Sequence, residues 1–143
     1  MSDIRIEHFE ARRCCVARHK GGVATVDETR RPMYQHMISN ELVGGASMLR
    51  FDEGLADDAG LDVLIGATCG FDGDDVVSVD EVPAGDYAVM DYVGPMAGVE
   101  EARARFREAL DADGYRTVGR FVQVHLMDEL DGETEQQFQV RLA

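Results

Sequence analysis

Hydrophobic and polar positions alternate most clearly in the second half of the chain. After the turn signal Pro83-Ala-Gly85, Tyr87, Val89, Asp91 and Val93 alternate with Ala88, Met90 and Tyr92, the period of two that marks a strand. Gly94 ends that strand and the period changes. Val99, Ala102, Phe106, Ala109 and Leu110 fall on one helical stripe, Glu100, Glu101 and Glu108 lie outside it, and Gly114 is placed to cap the end. The pattern predicts a helix that packs one face on a sheet. Over residues 121–127 the period is two again: Val122, Val124 and Leu126 form an apolar face, while Phe121, Gln123, His125 and Met127 form a mixed one.

The first half carries a related pattern. Residues 13–22 lie over residues 86–95 at a constant offset of 73, matching Val16 to Val89 and Gly21 to Gly94. The same offset takes Val26 to Val99, Arg30 to Arg103, Met33 to Phe106 and Met37 to Leu110. Leu61, Val63 and Ile65 match Phe138, Val140 and Leu142 at an offset of 77, which a longer hairpin loop in the second copy accounts for. The expectation is a single domain over 1–143 built from two repeats, 1–70 and 76–143, joined by the acidic, turn-rich stretch 70–75. Each repeat reads as strand, helix, strand, strand. The fold class is therefore α+β: two tandem βαββ units about a pseudo-two-fold axis, forming an antiparallel sheet with two main helices. Pro32 either kinks the first helix or delays its start, which puts its ordered core between Pro32 and Asn40.

At offset 73 the counterparts of Phe121, Gln123 and His125 are Met48, Arg50 and Asp52. Two such strands beside the axis would line a shared central cleft with their mixed faces. On periodicity alone, the alternative is that both faces meet solvent.

Composition narrows the chemistry. With 45% hydrophobic and 29% charged residues the chain is that of a folded protein, and no apolar run approaches the roughly 20 residues that span a bilayer. A soluble, cytoplasmic protein is expected. The formal charge of −14 repels phosphate backbones and anionic lipid headgroups, which argues against direct nucleic-acid or membrane binding. Three cysteines cannot pair completely, and the adjacent Cys14 and Cys15 read as strand residues pointing to opposite faces. No CxxC, HExxH, G-x-S-x-G, P-loop or G-x-G-x-x-G pattern is present, so no metal, cofactor or catalytic residue is assigned. The two copies use up the chain, leaving no third helical unit for a DNA-reading domain.

Residues 16–22, residues 82–89 with Gly94-Pro95 after them, and the closing hairpin 122–142 resemble the effector-binding domain of AraC-type and MerR-type multidrug-responsive regulators, also called GyrI-like. The resemblance implies a concave, largely apolar and aromatic pocket between the helices that takes small organic molecules. Relatives occur fused to a helix-turn-helix domain, as stand-alone binding proteins, as modulators of DNA gyrase, and as hydrolases of strained-ring natural products. A glutamate on the third strand of the second copy, followed two residues later by a tyrosine, is central to the family's pocket. Those positions here are Gln123 and His125. A buried carboxylate attracts lipophilic cations and can activate water, whereas Gln123 can hydrogen-bond but not titrate. Val23 and Met96 stand where the family favours aromatics.

These features assign a small hydrophobic organic ligand to Gln123, His125, Phe121, Arg50 and Met48, with Tyr92, Met96 and Val99 beside them. Tyr92 and its counterpart His19 either pack behind the helices or touch the ligand. Arg30 and Arg103 are read as surface ion-pair partners or as the pocket rim. The expected function is a stand-alone domain that senses or sequesters a hydrophobic compound. A hydrolase using the same cleft and a protein-interaction modulator of a DNA-handling enzyme such as gyrase remain the alternatives, and a protein partner or a homodimer stays open.

Overall fold

Four strands and one helix come from each half. In this computed structural model, which describes residues 3–55 and 60–143 and only the backbone of 128–130, the first half forms β1 (Arg5–Phe9), β2 (Arg12–His19), α1 (Asp27–Ser39), β3 (Val43–Phe51) and β4 (Leu61–Ala67). The second half forms β5 (Ser78–Val82), β6 (Gly85–Gly94), α2 (Val99–Ala112), β7 (Thr117–Leu130) and β8 (Glu133–Leu142). Short 3-10 turns at Val23–Thr25 and Met96–Gly98 lead into the helices. All ladders are antiparallel, and the eight strands form one sheet in the order β1-β6-β8-β7-β3-β4-β2-β5. Exchanging the halves leaves this order unchanged. Each half has one strand more than the four expected elements, and that strand pairs with the opposite half: β1 with β6, and β5 with β2.

Two short connections force the sheet to curl. β1 is first in the order and β2 seventh, yet only Glu10 and Ala11 separate them; β5 is eighth, β6 second, and only Pro83 and Ala84 lie between. In a flat sheet six strand spacings of about 4.8 Å would put each pair roughly 28 Å apart. Three Cα–Cα steps reach at most about 11 Å. Rolled into an almost closed barrel, the strands stand two spacings apart and the links suffice. Burial agrees, because Cys14, Leu64 and Val89 are fully buried on the face that carries no helix, in a cluster with Met48, Tyr87 and Val122. That cluster fills the barrel.

The helices cover the outer face. Met33 and Met37 of α1, and Val99, Ala102, Phe106 and Leu110 of α2, pack on Cys15, Leu49, Val63, Met90 and Phe138. Cys14 thus points into the barrel and Cys15 toward the helices, and burial pushes the Cys14 thiol up to about 11 despite Arg12 and Arg50 nearby. Pro32 neither delays nor ends α1, which starts five residues earlier at Asp27. In the second turn its ring costs one bond, to Glu28, while its exposed position and the packing of Met33 and Met37 hold the helix on the sheet.

Both helices end alike. The amide of Tyr115 bonds Leu110 O past Gly114 at φ +72°, and that of Leu42 bonds Met37 O past Glu41 at φ +57°. These pairs still stand 73 residues apart, but the register changes directly afterwards. At the centre of the sheet Leu49 pairs with Gln123 and Arg50 with Val122, so the central counterparts are 74 apart. Because a one-residue slip turns every side chain to the other face, Gln123 corresponds to Leu49, and Arg50 points into the barrel. In the last strands Leu61 opposes His19 while Gln136 opposes Tyr92, an offset of 75 rather than 77.

One end of the barrel holds an ion-pair cluster. Asp62 accepts hydrogen bonds from Arg18, Arg50 and Arg120; Asp52 accepts from Arg18 and Arg120, and Asp80 from Arg50. Burial pushes the Asp62 carboxyl up, but the bonds from Arg50, Arg120 and Arg18 outweigh it and hold the group below its ordinary 3.8.

Three outcomes follow for stability. Glu41→Gly relieves a left-handed non-glycine residue and should stabilise by about 1 kcal/mol in urea unfolding. Phe106→Ala should cost roughly 3–5 kcal/mol, with the exposed Glu101→Ala near neutral. The contribution of Asp62 is fully present above about pH 4 and is lost as pH falls through its depressed folded value, so Asp62→Asn should destabilise at pH 7 yet flatten the decline measured below pH 4.

Candidate functional site

Over the central pair β3 and β7 the two helices leave a groove. Val26, Asp27 and Arg30 of α1 and the turn before it form one wall, and Met96 of the opposite turn faces them. Ser47 and Leu49 of β3 meet Gln123 and His125 of β7 at the floor, with Gln136 of β8 beside them. The cavity measures about 260 Å³ and adjoins a second of about 520 Å³, which runs along α1 past Arg31 and Tyr34 and shares Asp27, Arg30, Ser47 and His125. The larger of the two lies within the roughly 300–1,000 Å³ of sites for drug-sized molecules.

A directional chain of hydrogen bonds runs beneath it. Arg103, buried under α2, donates from Nε to Gln123 Oε1 (2.8 Å), and its guanidinium lies 5.7 Å from the Phe51 ring centroid. Gln123 Nε2 donates to Gln136 Oε1 (3.1 Å). Gln136 Nε2 donates to His125 Nδ1 (2.8 Å) and to Thr134 Oγ1 (3.0 Å), whose own proton goes to Met127 O (2.8 Å). Both ends are fixed, since a guanidinium only donates and the Thr134 proton is already committed. Neither glutamine can flip, so His125 Nδ1 must accept and the ring carries its proton on Nε2. Ser47 Oγ is buried without a hydrogen-bond partner among the described residues.

Among the described residues, arginines outnumber carboxylates on the walls. Arg30 and Arg31 line the groove and Arg103 supports its floor; Asp27, the carboxylate lining it, is paired with Arg30. Among the described residues no three His, Cys, Asp or Glu side chains gather to hold a metal ion.

The sequence-assigned residues divide. Gln123, His125 and Met96 lie on the groove. Met48 borders it, although its side chain belongs to the barrel cluster. Arg50 is on the barrel side, for the register reason given above. Val99 is buried in the outer core, and Phe121 packs edge-on to Phe106 at 6.0 Å, away from the groove. Tyr92 donates to Pro95 O (2.6 Å), while its counterpart His19 bonds Gly22 O and Thr29. Both tie down the turns that enter the helices. Ser47, Gln136 and Tyr34 were not assigned, and only the offset of 73 between Arg30 and Arg103 hinted that helical arginines flank the cleft.

The sequence matches the family model of the GyrI-like small molecule binding domain over residues 2–142. No curated protein matches it. Among solved structures the fold is similar to the EcmrR C-terminal domain, with TM-score 0.84 and 10% identity over 98% of this chain and 96% of that one. It is also similar to SAV2435 bound to tetraphenylphosphonium (TM-score 0.66, 13% identity, 98% and 93% covered) and to a hydrolase encoded by lin2189 from Listeria innocua (0.63, 12%, 98% and 91%). At such identities these likenesses concern the fold alone. The match to the family model, extending over almost the whole chain, makes this protein a member of the GyrI-like small-molecule-binding-domain family.

Proposed function

We propose that the protein senses or sequesters a small organic compound in the groove between α1 and α2, and that the compound is neutral or anionic. The buried chain Arg103–Gln123–Gln136–His125 carries this reading. It places an amide, not a carboxylate, at the centre of the floor, and an arginine directly behind the amide. A lipophilic cation gains nothing there, while an acceptor-bearing ligand meets guanidinium and hydroxyl donors. The overall charge of −14 does not alter the local preference, because exposed charges beyond about 8–10 Å are screened at physiological salt. Binding is favoured over hydrolysis for the same reason. Gln123 cannot take a proton from water, and His125 Nδ1 is occupied by Gln136.

Tetraphenylphosphonium, found with SAV2435, and tetraphenylborate have nearly the same shape and opposite charge. By calorimetric titration the wild type should bind the borate at least as tightly as the phosphonium. Gln123→Glu alone should move the ratio little, since Arg103 at 2.8 Å would neutralise the new carboxylate. Gln123→Glu combined with Arg103→Met should reverse the order by roughly ten- to hundred-fold, the worth of a desolvated charged contact. A wild type that strongly prefers the phosphonium would refute the assignment.

A further inference from the structure

We propose that the end of the barrel between the β5–β6 turn and the start of β7 is a second binding site, distinct from the groove, for a small organic anion with an apolar body. The sheet separates the two: Gln123 faces the groove, and its neighbour Val122 lines a cavity of about 240 Å³ on the opposite side. That volume lies below the roughly 300–1,000 Å³ of sites for drug-sized ligands. The occupant is therefore of benzoate size.

The walls divide into an apolar body and a polar head. Val82, Pro83, Tyr87, Val118 and Val122 supply apolar surface, and Arg50, Arg120 and Arg141 supply guanidinium groups. Donors exceed acceptors around the head. Arg50 gives Nη2 to Asp62 and Asp80, but its Nε is buried with no hydrogen-bond partner. Arg141 makes no hydrogen bond or ion pair among the described residues, and its side chain lies on the barrel face opposite Tyr87. Tyr87 donates its hydroxyl to Pro83 O (2.6 Å), occupying that carbonyl, and Glu81 sits exposed at the mouth, where water screens it. A buried donor without an acceptor costs about 1–3 kcal/mol. A carboxylate, with two oxygens that each accept twice, answers both Arg50 Nε and the fork of Arg141. A cation of the same size would compete with Arg50 and Arg120 for Asp52, Asp62 and Asp80, and would leave Arg50 Nε and Arg141 without an acceptor.

The test is a titration of valine-methyl-labelled protein with benzoate, and with benzylammonium as the like-shaped cation, followed by NMR. Saturable benzoate shifts are expected at Val82, Val118 and Val122, with no saturable shift at those methyls from benzylammonium. Arg141→Gln, at a half-buried residue whose side chain makes no hydrogen bond or ion pair among the described residues, should weaken benzoate at least tenfold without moving the urea midpoint. Val118→Glu, which adds a carboxylate to the wall at an exposed position, should abolish binding. Equal binding of the cation, shifts confined to Val23 and Val26 of the groove, or full affinity in Arg141→Gln would each overturn the proposal. Failure here leaves the groove's preference for tetraphenylborate unaffected.

Discussion

The two-residue links from β1 to β2 and from β5 to β6 are the constraint on which the rest depends. Each joins strands that the ladder order sets six places apart, so the chain can satisfy its hydrogen bonds only by rolling the sheet up. Rolling gives the sheet two chemically separate faces. The inner one buries Cys14, Leu64 and Val89 without any helix, and the outer one is left free to receive α1 and α2. It also sends β1 and β5 to the opposite half, so neither half buries its core alone. The two edge strands, β1 and β5, are five residues each, so the edges left unpaired are short.

The centre of the outer face is where the helices give least cover. α1 packs on β2, β3 and β4, and α2 on β6 and β8, so the β3–β7 pair is covered from its flanks only. Whatever stands at that pair becomes the floor of a cavity. Leu49 and Gln123 occupy it, one apolar and one polar, and a buried amide needs partners for both its ends. Arg103 and Gln136 supply them, and the need for satisfaction then fixes His125 as well. A single glutamine at this position thus determines the orientation of three neighbouring side chains.

Element types were legible because period and punctuation agree with packing. The stripe of α2 reappears as a buried face, the alternation of β6 as a strand, and Val26, Met33 and Met37 are buried as Val99, Phe106 and Leu110 are. Strands β1 and β5 were not legible, since a five-residue edge strand that is mostly exposed carries little alternation. The site was half legible for a sharper reason. One residue more between Tyr115 and Phe121 than between Leu42 and Ser47 flips the face of the third strand, and no periodicity within either strand reports it. Arg50 was therefore placed with Gln123 when the sheet sets it on the other side, and Gln136 escaped notice because a two-residue error in the last strand matched apolar to apolar.

The same slip bears on where the arginines of this acidic chain stand, since it moves Arg50 from the groove to the barrel face. Of the arginines, Arg103 is buried under α2, and Arg18, Arg50 and Arg120 are drawn to the barrel end by Asp52, Asp62 and Asp80. The remaining carboxylates are largely exposed, and their field is long-ranged but screened within about a Debye length. The outer field and the inner sites therefore act on different steps. The field favours the approach of cations and slows that of anions. A ligand in either proposed site would meet guanidinium donors held in fixed directions, where water and salt screen poorly. On the proposed reading, selectivity at equilibrium follows from the few groups within hydrogen-bond reach of the ligand, and the formal charge of −14 governs mainly how fast the ligand arrives.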